Sequence, residues 1–338
     1  MTAGTGRRVR IAVTLGDVSG IGPEVVVKLL AQDAVRRRAD IEVLAREDEI
    51  TRAADEAGVS VPVAPTPSPD AVATMAPHAA GPVERGTISQ AAGERALSDL
   101  SHALTRYRDG AVDGILYAPL NKSALALAGM NEKDELRWFA RQLGFDGVTS
   151  ELNVVPGLTT ARVTSHIALR DVPARVTPTG VLDACELLDQ ALRAQGIDHP
   201  RLAVCALNPH AGENGAFGTE ERDVIAPGVA LARERGLRAD GPHPADTLFL
   251  RAFGGEFDGV VTMYHDQGQI ALKLRGFDEG VTVQGGLPVP IATPAHGTAH
   301  EIVGQGVARP GPIERAFEVV ASLAEHARPA IPAPKAET

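Results

Sequence analysis

Cysteine is nearly missing from this chain: Cys185 and Cys205 are the two present in 338 residues. They sit in apolar runs without CxxC spacing, which argues against a disulfide framework and for buried thiols in a reducing compartment. Long apolar runs are missing as well. No segment approaches the ~20 residues of a membrane span, and the apolar stretch after the N-terminal basic residues is too short for a signal sequence. A cytoplasmic location without membrane partners is the expectation. Basic runs are also lacking, and the net charge of -10 is spread along the chain. Without a cationic stripe or aromatic-basic interleaving, nucleic acid is excluded as a partner.

What remains is a globular composition, 44% hydrophobic, in a chain longer than one hydrophobic core usually supports, so two domains are expected. The stretch "RRVRIAVTLGDVSGIGPEVVVKLLAQD" reads as a strand through Thr14, a glycine-rich turn, and a helix opened by Pro23 with Glu24 beside it. Further strand-like runs occur at "ADIEVLA", "GILYAPL", "TARVTSHI", "PRLAVCALNP" and "FDGVVTMYH", separated by helix-length stretches. That alternation predicts a doubly wound α/β fold. The Pro/Ala-rich stretch 62–82 reads as an irregular excursion, and the tail "ARPAIPAPKAET" as loosely ordered.

In α/β sheets ligands gather beyond the carboxyl ends of strands, and polar clusters fall there in this chain. Asp17 follows the first strand, Asn121 and Lys122 follow "YAPL", and His166, His210 and His265 follow three later runs. A single histidine at such a position is ordinarily a satisfied core or surface residue. Three neutral imidazoles converging on one cleft would instead make a divalent-metal site with an open position. Spacing alone leaves both readings open. Asp246, in "GPHPADTLF", and Asp266 are candidates for orienting those rings or moving a proton.

Two glycine-rich segments suggest a nucleotide. In "GDVSGIGPE", Gly16, Asp17, Gly20 and Gly22 resemble a phosphate-cradling loop ahead of a helix N-terminus, with a tight turn as the alternative. In "TPAHGTAHEIVGQGVARPG", His296, Gly297 and Thr298 form a loop in which His296 can stack on adenine. Glu301 can accept hydrogen bonds from a ribose diol, which favours NAD over NADP. A capped surface loop is the plainer reading.

Taken in order, "GDVSGIGPE", "APLNKSAL", "SHIALRDV", "LNPHAGENGAFGTEE", "GPHPADTLF", "MYHDQG" and "HGTAHEIVGQGVA" resemble the 4-hydroxythreonine-4-phosphate dehydrogenase (PdxA-type) family, from about Val9 to Leu323. The resemblance implies a two-domain α/β subunit similar to isocitrate and isopropylmalate dehydrogenases, with parallel or mixed sheets and an active site in the interdomain cleft. It further implies a homodimer with the metal site near its interface. Expected boundaries are 1–128 with 266–338 for the cofactor domain and 129–265 for the substrate, metal and dimerisation domain. By the same resemblance His166, His210 and His265 hold a divalent metal, zinc first, with cobalt, nickel, manganese or magnesium as alternatives. Lys273 matches a substrate-binding lysine and joins Asp246 and Asp266 as a catalytic candidate. The implied reaction is NAD-dependent oxidation of a small-molecule alcohol, and in the phosphorylated-threonine enzymes the keto acid formed loses CO₂.

The chain departs from the family where the phosphorylated substrate is held. In place of a Gly-His-Thr-Glu motif, ungapped counting from Lys122 gives Asp134, Glu135, Leu136 and Arg137. Thr282 stands where an asparagine is expected, and Ile291 where an arginine is expected. Losing an arginine and gaining Glu135 should disfavour a dianionic phosphate. The expectation is therefore an unphosphorylated hydroxy acid or carboxylated cis-dihydrodiol, oxidised with or without decarboxylation, in the branch similar to terephthalate dihydrodiol dehydrogenases. There Arg137 or Arg275 would meet a carboxylate. The alternative is 4-hydroxythreonine 4-phosphate or a threonate or erythronate 4-phosphate.

Overall fold

The computed structural model describes residues 7–76, 81–276 and 279–326. The tail from 327 onward, expected to be loosely ordered, lies outside the described residues. The chain forms two compact units, Met1–Phe145 with Leu287–Thr338, and Asp146–Gly286. These bounds differ from the expected ones at both ends. Residues 129–145 belong to the first unit because Trp138 and Phe139 bury themselves in its core. Residues 266–286 belong to the second, because their last strand pairs antiparallel with Ser150–Val155.

In the first unit, strands β1 (Val9–Thr14), β2 (Ala39–Leu44), β3 (Ala73–Thr74), β4 (Gly114–Tyr117) and β11 (Ile291–Pro294) make a sheet ordered β3-β2-β1-β4-β11. Its strands pair in parallel throughout. Parallel strands are covered on both faces, which is why β1 and β4 are mostly apolar and no residue of either is exposed. The Pro/Ala-rich excursion contributes the short β3. Helices α1 (Gly22–Leu30), α2 (Asp33–Arg38), α3 (Glu47–Ala57), α4 (Gln90–Arg108), α5 (Lys122–Leu127) and α11 (Gly311–His326) run between or after these strands. Helix α1 opens with Pro23 and Glu24 in its first turn, as its sequence predicts.

Helix α6 (Glu135–Leu143) is built by local signals: Asp134 caps it by accepting from Arg137 N, and Gly144 ends it in a left-handed conformation at φ 62°. Its Trp138 and Phe139 stack edge-on with centroids 5.2 Å apart. Both are buried, and each fully buried side chain of this kind contributes about 1.5–3 kcal/mol.

The second unit is a mixed sheet ordered β10-β5-β6-β9-β7-β8. Its strands are β5 (Ser150–Val155), β6 (Leu158–Arg162), β7 (Arg201–Cys205), β8 (Arg238–His243), β9 (Gly259–Thr262) and β10 (Val281–Gly285). Strands β10, β5 and β6 pair antiparallel; β6, β9, β7 and β8 pair parallel. Helices α7 (Pro178–Ala194), α8 (Ala226–Glu234), α9 (Ala245–Phe253) and α10 (His265–Gly276) provide the connections. The mixed α/β architecture is the one expected, and the five strand-like runs named above are β2, β4, β6, β7 and β9. Cys185 and Cys205 are free and buried, and burial pushes the Cys185 thiol up to about 12. Among the described residues no helix is long and apolar enough to cross a membrane.

Candidate catalytic and cofactor sites

Three neighbouring parallel strands, β6, β9 and β7, are each followed by one of the histidines singled out by sequence. Backbone pairing continues past β6 and β9: Val163 N donates to Thr262 O at 2.8 Å and Thr164 N to Met263 O at 3.1 Å. That continuation brings His166 and His265 together, with ring centroids 5.6 Å apart. His210 lies instead beside Phe217, at 6.3 Å. Among the described residues no three His, Cys, Asp or Glu side chains gather closely enough to hold an ion within one chain.

The backbone around His210 is unusual. From His210 to Asn214 five consecutive residues have positive φ, four of them not glycine. Left-handed conformations cost non-glycine residues roughly 1–2 kcal/mol each, so the turn requires outside support. Glu221, 5% exposed, supplies it. Its carboxylate accepts from Leu207 N at 2.9 Å, Asn208 N at 2.7 Å and Asn208 Nδ2 at 3.0 Å. His166 is also held at positive φ, 48°.

At the start of α10, His265 Nδ1 lies 2.7 Å from Asp266 Oδ1. Two residues on, Gln267 accepts from Met263 N and donates to Ala206 O, both at 2.7 Å, tying the β9–α10 turn to the end of β7. Neither Gln267 nor Glu221 stands out in the sequence; Gln267 follows "MYH" by two residues, while Glu221 lies eleven residues past His210. Lys273 is exposed two turns along α10, and Asp246 is exposed in the first turn of α9. Thr282, on β10, accepts from Asn153 Nδ2 at 3.4 Å.

In the first unit, the glycine-rich loop after β1 is buried by its own neighbours. Asp17 N donates to Pro119 O at 2.9 Å, Gly20 N to Asp17 O at 3.0 Å and Ile21 N to Thr298 O at 2.9 Å. Ser19 N donates to Asp17 Oδ1 at 2.9 Å. A Cβ on Gly16 would meet Ala118 O at 2.3 Å, and one on Gly20 would meet Thr298 O at 2.6 Å. These glycines, with Gly22 against Leu15 O, serve close backbone packing, and the loop's donors are largely spent inside the protein. The phosphate-cradle reading of Gly16, Asp17, Gly20 and Gly22 thus gives way to the tight-turn alternative.

The loop after β11 rests on that turn. His296 donates through Nδ1 to Gly297 O at 3.0 Å, Gly297 and Glu301 are exposed, and Thr298 is buried. Lys28 ties down the far end of the loop, donating to Gly306 O at 2.8 Å and Ala308 O at 2.7 Å. Buried Glu24 accepts from Ala308 N at 2.7 Å.

The stretch read as a rewritten substrate motif is a helix start. Asp134 is 5% exposed and occupied as the α6 cap, Leu136 is 4% exposed, and Ile291 is fully buried in β11 opposite Ile115. Leu136 and Ile291 are core residues that a bound molecule does not reach, which corrects their expected role as substrate contacts. A pocket of ≈ 130 Å³ opens at this helix start, lined by Lys122, Leu125, Met130, Glu132, Lys133 and Asp134 among others. Of the pocket's acids Glu132 is paired with Arg141 and Asp134 is the α6 cap, and the two lysines are exposed. Glu135 borders the same pocket and Arg137 is exposed.

A family model described as "Pyridoxal phosphate biosynthetic protein PdxA" matches residues 24–320. The chain belongs to the PdxA family. A Pseudomonas aeruginosa relative, named provisionally 4-hydroxythreonine-4-phosphate dehydrogenase 2, is 49% identical and aligns over 94% of this chain and 97% of its own. The D-threonate 4-phosphate dehydrogenase of Bordetella bronchiseptica is 38% identical, over 93% of this chain and 92% of its own. Among solved structures, the 4-hydroxythreonine-4-phosphate dehydrogenase of Klebsiella pneumoniae superposes with a TM-score of 0.82 at 33% identity, covering 94% of this chain and 98% of that one. The terephthalate 1,2-cis-dihydrodiol dehydrogenase of Burkholderia xenovorans superposes at 0.67 and 30% identity, over the same 94% and 98%. PdxA-family relatives named for phosphorylated substrates thus resemble this chain more than the dihydrodiol enzyme does.

Proposed function

We propose that this PdxA-family chain is an NAD-dependent, divalent-metal-dependent dehydrogenase of a four-carbon hydroxy-acid phosphate, such as 4-hydroxythreonine 4-phosphate or threonate 4-phosphate. It is an oxidoreductase of the type that acts on a CH–OH group, in keeping with the names of its relatives. The observation that carries the choice of substrate is the near full-length similarity to phosphate-substrate dehydrogenases at up to 49% identity. This reverses the expectation of an unphosphorylated hydroxy acid or cis-dihydrodiol. That expectation rested on Asp134 to Arg137, Thr282 and Ile291 as altered substrate contacts, whereas Asp134 caps a helix and Leu136 and Ile291 are core.

The pocket at the start of α6 mixes charges, with the ammonium groups of Lys122 and Lys133 beside the carboxylates of Glu132, Asp134 and Glu135, of which Glu132 is paired with Arg141; the two lysines are what a phosphate would meet there. Lys122 and Lys133 line one pocket at the start of α6, where backbone N–H groups and the helix dipole also favour an anion. A phosphate dianion there would be held by two charge-assisted contacts without an arginine. NAD is assigned to the loop carrying His296, Gly297, Thr298 and Glu301, with Glu301 accepting from the ribose diol.

The residues of the second unit fit a divalent ion. His265 turns Nδ1 to Asp266 and so presents Nε2, the arrangement that orients a metal-ligating imidazole. His166 faces it at 5.6 Å between ring centroids. A third ring, His210, would come from a second copy of the chain, in keeping with exposed Leu169, Phe217, Leu250, Ile270 and Leu274 on this unit, between 50% and 85% accessible. A bound divalent ion would lower the pKa of the substrate hydroxyl and stabilise developing negative charge on its oxygen. Lys273 would hold the substrate's anionic end or take part in proton transfer, and Asp246 would serve as an acceptor for that proton.

Inorganic phosphate tests the substrate class. Competitive inhibition against the hydroxy-acid substrate, lost when Lys122 and Lys133 are replaced by Met, is expected. Indifference to phosphate in the unmodified protein would contradict the reading.

A further inference from the structure

The carboxylate of Asp17 is 1% exposed, in a loop where Ser19 is fully buried. Its Oδ1 takes both hydrogen bonds that Ser19 offers, from N at 2.9 Å and from Oγ at 2.6 Å. Its Oδ2 is buried with no hydrogen-bond partner and lies 3.5 Å from His300 Nε2. Ser19 Oγ is 3.3 Å from the same nitrogen.

An aspartate, a serine and a histidine in contact invite comparison with a nucleophilic triad, and the geometry excludes one. A triad needs the carboxylate on one ring nitrogen and the hydroxyl on the other. Here both approach Nε2, and the serine proton goes to the carboxylate. The cluster is an electrostatic one.

A buried carboxylate needs a counter-charge. The nearby cations are engaged elsewhere. Arg85, which packs against Gly304, donates to Glu56 at 2.7 and 2.8 Å. Lys28 is bound to Glu24 and to the carbonyls of Gly306 and Ala308. Among the described residues the basic side chain within 4 Å of the Asp17 carboxylate is His300, which pairs with it as an ion when protonated.

We propose that His300 is the counter-ion of buried Asp17, and that the pair latches the loop after β11 onto the loop after β1, making His300 a positioning residue for NAD affinity. The latch works beside the Ile21 N to Thr298 O bond and holds the near end of the loop, as Lys28 and Glu24 hold the far end. Exposed Glu301 lies one residue from the latch, so loosening it would release the candidate ribose contact. The inference rests on the NAD reading above.

The test measures the NAD dissociation constant by calorimetry and the thermal midpoint for the unmodified protein, His300→Gln, Asp17→Asn and the double variant. His300→Gln leaves the carboxylate uncompensated, and is expected to weaken NAD on the order of tenfold and to lower the midpoint. The double variant removes the charge together with its partner and should recover most of both losses, a rescue that a packing role for His300 would not produce. Equal affinity and midpoint for His300→Gln and the unmodified protein would overturn the latch. So would a double variant no more stable than His300→Gln, or one that fails to fold where His300→Gln also fails. An unmodified protein that binds no NAD would refute the cofactor assignment, while the four midpoints would still decide the latch.

Discussion

Asp266 fixes the tautomer of His265: the carboxylate oxygen lies 2.7 Å from Nδ1, and an ionised carboxylate can only accept. In the neutral ring the hydrogen is therefore on Nδ1, which leaves the Nε2 lone pair for an ion. Asp266 is exposed, so its removal disturbs little else. Asp266→Asn should weaken divalent-metal binding about 10–100-fold while the thermal midpoint stays nearly constant. Titration calorimetry with Zn²⁺ or Co²⁺ measures it, and unchanged affinity would remove Asp266 from the site.

Glu221 satisfies three donors at the exit of β7 and so supports the left-handed turn that carries His210. Glu221→Ala removes the acceptor of two partly buried backbone donors, Leu207 N and Asn208 N, while Asn208 Nδ2 keeps Glu220 Oε2 at 2.7 Å, at a cost of roughly 1–3 kcal/mol in unfolding free energy. Urea denaturation is the check. A loss below about 0.5 kcal/mol, the size expected of an ordinary surface substitution, would mean that the turn holds itself.

Lys122 and Lys133 carry a prediction about binding alone. Replacing both with Met should raise KM for a phosphorylated substrate by about tenfold or more, because two charge-assisted contacts are lost. Steady-state kinetics across substrate concentration would show it. An unchanged KM would place the phosphate elsewhere.

Stability should depend on pH through a buried cluster away from the candidate sites. Arg95 donates to both oxygens of Glu49, at 2.9 and 3.2 Å, and once to Asp99, at 2.8 Å. Asp99 Oδ1 is left buried without a partner, and burial pushes its carboxyl up to about 7. Its folded value lies above the unfolded one, near 4, so the protonated form stabilises the fold at low pH. That contribution is lost as pH rises from about 4 to about 7. Asp99→Asn removes the titration, so its unfolding free energy should gain on the unmodified protein by up to ~1.4 kcal/mol per pH unit within that window. Parallel pH profiles of the two proteins would contradict the assignment.

Much of the fold can be read from pattern, because β-branched runs ending in polar residues mark parallel strands and their ligand-side ends. His166, His210 and His265 are found that way. Which two rings meet is not, since it depends on β6 pairing with β9, about 100 residues apart in sequence. The glycines of "GDVSGIGPE" show the same limit: their close contacts are with Ala118, Pro119 and Thr298. Those neighbours are distant in the chain, and local sequence makes such a turn look like a phosphate cradle. His300 escaped notice for the same reason, being four residues past His296 with its partner Asp17 at the other end of the chain. Asp134 is different, because an acidic cap three residues before Arg137 and just ahead of Trp138 and Phe139 is a legible helix start. The family resemblance points instead to a substrate contact in that stretch, a property its burial does not support.

The most direct measurement is NADH formation by the purified protein with Zn²⁺, Co²⁺ or Mn²⁺, on each four-carbon hydroxy-acid phosphate and its dephosphorylated counterpart, with a carboxylated cis-dihydrodiol alongside. Turnover of a 4-phosphate, with kcat/KM falling by orders of magnitude when the phosphate is removed, is the expected result. Turnover confined to the unphosphorylated acids or the dihydrodiol would contradict the assignment of a phosphate to the Lys122 and Lys133 pocket and return the chain to the dihydrodiol branch.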